Sequence, residues 1–69
     1  MDRVKVMSAR IESVGYDEKE KILEVKFKAG GLYQYRDVPM VVYYELMHSG
    51  SMWRYLEENI KGVYKYSKV

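Results

Sequence analysis

The sequence predicts a single α+β domain: a three-stranded antiparallel β-meander followed by two helices and a short C-terminal strand. Three observations carry that expectation. From Ile22 to Lys28, ILEVKFK alternates apolar and charged residues with the period of two that a sheet with one wet face requires. Pro39 opens an apolar-rich stretch of helical spacing, and Met52, Leu56 and Ile60 recur on one side of a second such stretch between Ser51 and Gly62. The tail, VYKYSK, returns to alternation.

Taken in order, RVKVM sets Val4 and Val6 against Arg3 and Lys5 and reads as a short half-buried strand. SARIESVGY reads as a bent or bulged continuation around Ser8 and Gly15. DEKEK, Asp17 to Lys21, is a polar connection in which the Asp17 carboxylate serves nearby backbone N–H groups. The strand from Ile22 places Leu23, Val25 and Phe27 on one face and Glu24, Lys26 and Lys28 on the other. Ala29, Gly30 and Gly31 then supply a tight turn into LYQYR.

Pro39 suits a first helical turn, with Asp37 near enough to cap it or favour its dipole. In the helix to Met47, Val42, Tyr43, Leu46 and Met47 form the inward stripe. Met40, Val41 and Tyr44 are apolar on the remaining faces, which makes them candidate interface residues for a second copy or another protein. HSGS breaks the helix, and Ser49 or Ser51 caps the next one, from about Met52 to Lys61. Arg54 with Glu58 and Glu57 with Lys61 sit four apart on its wet side, pairs worth about 0.2–0.5 kcal/mol each. The last strand carries Tyr64 and Tyr66. A small SH3-like or partly open barrel is the alternative geometry.

The chain has 69 residues and no linker, repeat or low-complexity block, so residues 1–69 form one domain. At this size folding buries only about 60% of the surface an unfolded chain exposes, so the core is thin. No cysteine is present to staple it. Eight tyrosines, Trp53 and Phe27 supply buried area instead, at about 150–250 Å² per ring. Twelve Lys and Arg against ten Asp and Glu give a charge of +2, well short of a polybasic protein. The apolar runs are too short to cross a bilayer, and MDRVKVM lacks the apolar core of a secretory signal, so a cytoplasmic protein is expected.

The order of landmarks resembles the KTSC domain family: Ser8, then Tyr16 and Asp17 in VGYD, Tyr33 and Tyr35 in a YxY pair, Pro39 after Val38, and finally Tyr55, Ile60, Tyr64 and Tyr66. The resemblance runs from about Val6 to Tyr66. Domains of this family occur at the C terminus of some lysyl-tRNA synthetases and as small stand-alone proteins, and the resemblance implies RNA binding. Two positions depart from the family pattern: a glycine is usual where this chain has Trp53, and an asparagine where it has Glu57.

Tyr33 and Tyr35 share one face of a strand. They are either core rings with hydroxyls at the rim, or an exposed platform on which bases stack beside Arg36. Tyr64 and Tyr66 carry the same two readings, and Trp53 a third, as an anchor at a protein interface. WRY, YKYSK and YQYR interleave rings with cations, as single-strand binders do. The expected nucleic-acid-binding set is therefore Tyr33, Tyr35, Arg36, Trp53, Arg54, Tyr64, Lys65 and Lys68, for single-stranded RNA before other nucleic acid.

His48 is the sole histidine, so no multi-histidine metal site is expected within one chain, and a helix-end role suits it better. Glu18, Glu20, Glu57 and Glu58 stand among lysines, without the apolar setting that would raise a carboxyl for acid–base work. AGG lacks the Lys-Ser/Thr of a phosphate loop. A non-enzymatic protein without metal or cofactor is the expectation. A binding module for nucleic acid and a self-association or protein-interaction module are the two readings.

Overall fold

Leu23 and Val25, the apolar half of the alternating segment, are fully buried at the centre of an antiparallel sheet. The computed structural model describes all residues, Met1–Val69, in the order β1 (Arg3–Lys5), β2 (Ile11–Asp17), β3 (Ile22–Phe27), β4 (Leu32–Tyr35), α1 (Met40–Met47), α2 (Met52–Asn59) and β5 (Tyr66–Lys68). The sheet has five strands in the order β1-β2-β3-β4-β5, each antiparallel to the next. Four strands thus precede the helices, one more than the three-stranded meander expected, because SARIESVGY forms a strand of its own. The sheet is open, with β1 and β5 at its edges.

One face of the sheet carries the core. Ile11, Val14, Leu23, Val25 and Tyr35 meet Leu46, Met52, Leu56 and Ile60 from the helices and Val38 from the connection before α1. Val42, Tyr43 and Met47 pack at its margin, as the helical stripe requires, while Met40, Val41 and Tyr44 are exposed. Val38 is fixed by backbone as well as by burial. Its N–H donates to the Lys21 carbonyl at 2.9 Å and its own carbonyl accepts from the Tyr16 hydroxyl at 2.5 Å. Tyr16 also stacks on Tyr43, with centroids 5.0 Å apart, tying α1 to β2.

The other sheet face departs from the expected wet surface. Glu24 is buried there, and its carboxylate accepts from the Arg3 guanidinium at 3.3 Å, while the Arg3 Nε donates to the Ser13 hydroxyl at 3.1 Å. Gly15 makes this possible: a Cβ there would stand 2.8 Å from the Asp2 carbonyl and 3.1 Å from Arg3 Cγ. So Gly15 lies in a regular strand and admits β1 across it, and the irregularity falls between Ile11 and Ser13 instead. The bend before β2 falls at Ala9 and Arg10, just after Ser8, whose hydroxyl accepts from the Arg10 and Ile11 N–H groups. Strand β1 is an exposed edge rather than half-buried, Val4 included.

Turn chemistry follows the sequence. Asp17 Oδ1 accepts from the N–H groups of Lys19 and Glu20, and Gly30 and Gly31 take positive φ between β3 and β4. At α1 the expectation is corrected. Pro39 is the cap residue, no side chain caps the helix, and Asp37 instead takes a left-handed φ of 59° that turns the chain inward at Val38. Ser51 caps α2 by accepting from the Arg54 N–H at 3.3 Å. Helix α2 ends at Asn59, with Ile60 buried as its cap residue, and Tyr64 lies in the following turn rather than in β5. No helix is long and apolar enough to cross a membrane.

Candidate nucleic-acid interface

Phe27 ends β3 on the core face, at the margin of the helical cover, and is only half-buried. The first turn of α2 brings Trp53 to it, with ring centroids 6.0 Å apart and planes at 87°. On its other side Tyr33 lies 5.4 Å away, also at 87°. Tyr66 of β5 then meets Tyr33 at 5.3 Å. Trp53, Phe27, Tyr33 and Tyr66 therefore form one run of touching rings across three strands and a helix.

Cations accompany that run. The Arg10 guanidinium sits 5.1 Å from the centre of the indole, and the Lys68 ammonium 6.0 Å from the Tyr33 ring. Between Trp53 and Tyr33 the surface dips into a cleft of about 350 Å³, with Arg10, Lys28 and Lys61 among its lining residues and no carboxylate. The four ion pairs of the chain involve Arg3, Lys26, Arg54 and Lys61, which leaves Arg10, Lys28 and Lys68 uncovered. Lys61 shares itself with Glu57 at 3.8 Å. Beyond Tyr66 a shallow hollow of about 410 Å³ is lined by Arg36, Tyr64 and Lys65, joined by the Arg36 N–H donating to the Lys65 carbonyl at 2.8 Å.

The expected residues thus divide. Tyr33 and Trp53 line the cleft, with Lys68 over the Tyr33 ring, while Arg36, Tyr64 and Lys65 gather in the second hollow. Tyr35 is a core residue: opposite Leu23 and 3% exposed, it lines the cleft without presenting an open ring face. Burial, with the charges of Tyr33, Tyr66 and Glu57 adding to it, raises its phenol above the usual range. Arg54 lies apart from both hollows and pairs with Glu58 at 3.2 Å.

Sequence reasoning overlooked Arg10, Lys28 and Lys61 as cations of the site and left Phe27 and Tyr66 out of it. The Lys28 N–H donates to the Arg10 carbonyl at 2.9 Å, a pairing across the irregular end of β2 and β3 that no sequence pattern announces. Phe27 carried a weak signal, as the last ring of an alternating strand before a glycine turn.

Away from the cleft, Tyr55 donates to the Glu45 carboxylate at 2.6 Å. Burial first, then that hydrogen bond and the Glu45 charge, push its phenol up to about 12. On α1, Met40, Val41 and Tyr44 are 48%, 58% and 59% exposed. Tyr44 also stacks on His48, with centroids 4.1 Å apart.

Residues 7–69 match the model of the KTSC domain family. A protein of Stutzerimonas stutzeri is 39% identical over 61 residues, covering 88% of this chain and 86% of that one. A lysine–tRNA ligase of Nostoc is 32% identical over 59 residues, 86% of this chain but only 10% of the ligase. The crystal structure of a KTSC domain protein from Yersinia pestis superposes with a TM-score of 0.96 at 37% identity, covering 99% of this chain and 96% of that one.

Proposed function

The chain belongs to the KTSC domain family, and on that premise we propose that it is a non-catalytic cytoplasmic module that binds single-stranded nucleic acid, RNA before DNA. The observation that carries this reading is the run of rings from Trp53 to Tyr66 beside cations that no carboxylate covers. Bases have two faces to stack and phosphates between them, and an aromatic strip with flanking cations answers both at about 1–3 kcal/mol per stacked base. Trp53, Tyr33 and Tyr66 are the stacking residues. Arg10, Lys28 and Lys68 hold phosphates near the cleft, and Arg36 and Lys65 extend the track past Tyr66. The Nostoc relative, a lysine–tRNA ligase by name, favours RNA.

The test is a titration of single-stranded RNA at two salt concentrations, followed by the fluorescence of the one tryptophan. Binding is expected to quench or shift it, and log affinity to fall with log salt by about 0.7 per phosphate held. No binding at low salt overturns the reading.

A second reading, self-association, is favoured by the exposed apolar side of α1, where Met40, Val41 and Tyr44 lie together. Sedimentation across a concentration series checks it, with Val41→Glu expected to abolish any dimer. A monomer at every concentration removes this reading.

A further inference from the structure

Trp53 and Arg10 together line two hollows, the aromatic cleft and a neighbouring one of about 530 Å³ between the residues before β2 and the start of α2. The Arg10 guanidinium lies over the indole rather than against a carboxylate. It is thus a planar cation placed 5.1 Å from the centre of the largest ring of the site, with no ion pair to hold it there.

We infer that Arg10 is a removable cover. In the free protein it shields Trp53; when a single strand binds, one unstacked base enters the cleft against the indole and the guanidinium moves to the adjoining phosphate. This rests on the single-strand reading above and assigns that site its occupant, a planar aromatic group carrying a neighbouring anion. A guanidinium and a base are both flat and both stack on rings, so the exchange replaces one planar partner by another.

The cleft fits one such group. Its volume of about 350 Å³ lies at the lower end of small-ligand pockets, roughly 300–1,000 Å³, and is ample for one base. Phe27 stands nearly perpendicular to both Tyr33 and Trp53, so a ring flanks it on either side. The rim is open at the β3–β4 turn. Gly30 lines the cleft, and a Cβ added there would meet nothing within 4 Å. Lys28 and Lys61 line the cleft, the second shared with Glu57, and supply positive charge for the phosphates that flank the inserted base.

Four probes test this on the full chain: a short single-stranded oligouridylate, the same backbone without bases, uridine 5′-monophosphate, and the oligouridylate against Arg10→Gln. The indole N–H resonance of Trp53 and its fluorescence are the readouts. The intact strand is expected to move the resonance, and the abasic strand to bind about tenfold more weakly and leave it in place. Arg10→Gln, at an exposed position that keeps the fold, is expected to alter Trp53 emission before any ligand is added and to reduce the salt slope by about 0.7.

An abasic strand that binds as well as the intact one overturns the inference, as does an unmoved indole, while leaving strand binding itself intact. An unchanged salt slope in Arg10→Gln overturns the transfer to phosphate. Equal affinity for the mononucleotide reassigns the cleft to a free nucleotide and overturns it as well. Failure of every probe at low salt removes the single-strand reading with it.

Discussion

Tyr35 and Tyr66 touch, with centroids 5.7 Å apart, yet do opposite work. Tyr35 is 3% exposed and Tyr66 55%, so one ring fills the core and the other lies on the surface. Tyr35→Ala is expected to cost about 3–5 kcal/mol in urea denaturation, the range for deleting a large buried ring. Tyr66→Ala is expected to leave the urea midpoint nearly unchanged and to weaken RNA binding. Tyr55 makes a different prediction. Its phenol is raised from the ordinary 10.0 to about 12, so the fold favours the neutral form. The stability this contributes is complete below pH 10, where the unfolded tyrosine is also neutral, and is lost as pH climbs from there through about 12. An ultraviolet titration should find late-ionising tyrosines, Tyr16, Tyr35 and Tyr55, and Glu45→Gln should lower the value for Tyr55 alone.

Among the elements, β1, like β5, is not secured by burial. All three of its residues are exposed, and its hold on β2 is a short ladder plus the reach of Arg3 across Gly15 to Ser13 and Glu24. Arg3→Ala leaves the Glu24 carboxylate buried without its cation. Chemical denaturation is expected to record a loss of about 1–3 kcal/mol. Helix α1 was legible from Pro39 and the stripe of Val42, Tyr43, Leu46 and Met47, since periodicity alone sets which side of a helix faces a core. Strand β2 was less so. A strand containing Ser, Gly and a bulge gives no clean alternation, and its partners on both sides had to be known before Ser13 and Gly15 made sense.

Across the whole molecule, charge matters by placement rather than by total. A net charge of +2 gives no general attraction for polyanions, but of the cations that make no ion pair Arg10, Lys28 and Lys68 stand beside the run of rings. Lys68→Gln is therefore expected to lower RNA affinity and the salt slope. Arg54→Gln, on the solvent side of α2 and already neutralised by Glu58, is expected to change neither. Isothermal titration of both variants at two salt concentrations checks the contrast. The site gathers Arg10 from before β2, Phe27 from β3, Tyr33 from β4, Trp53 from α2 and Lys68 from β5, residues far apart in the chain.

Local rules read from the chain alone were enough for the α+β class, the strand at Ile22, the turn at Gly30 and Gly31, both helices and the final return to the sheet. Each depends on neighbours within a few residues, through pleat, helical period or a permitted φ. Tertiary structure decided the rest: that Tyr35 is core and Tyr66 surface, that Glu24 is buried and Arg54 occupied, and that Arg10 rests on Trp53. Exposure and ion pairing depend on which distant segments arrive beside a residue, and that information exists only once five strands and two helices have packed.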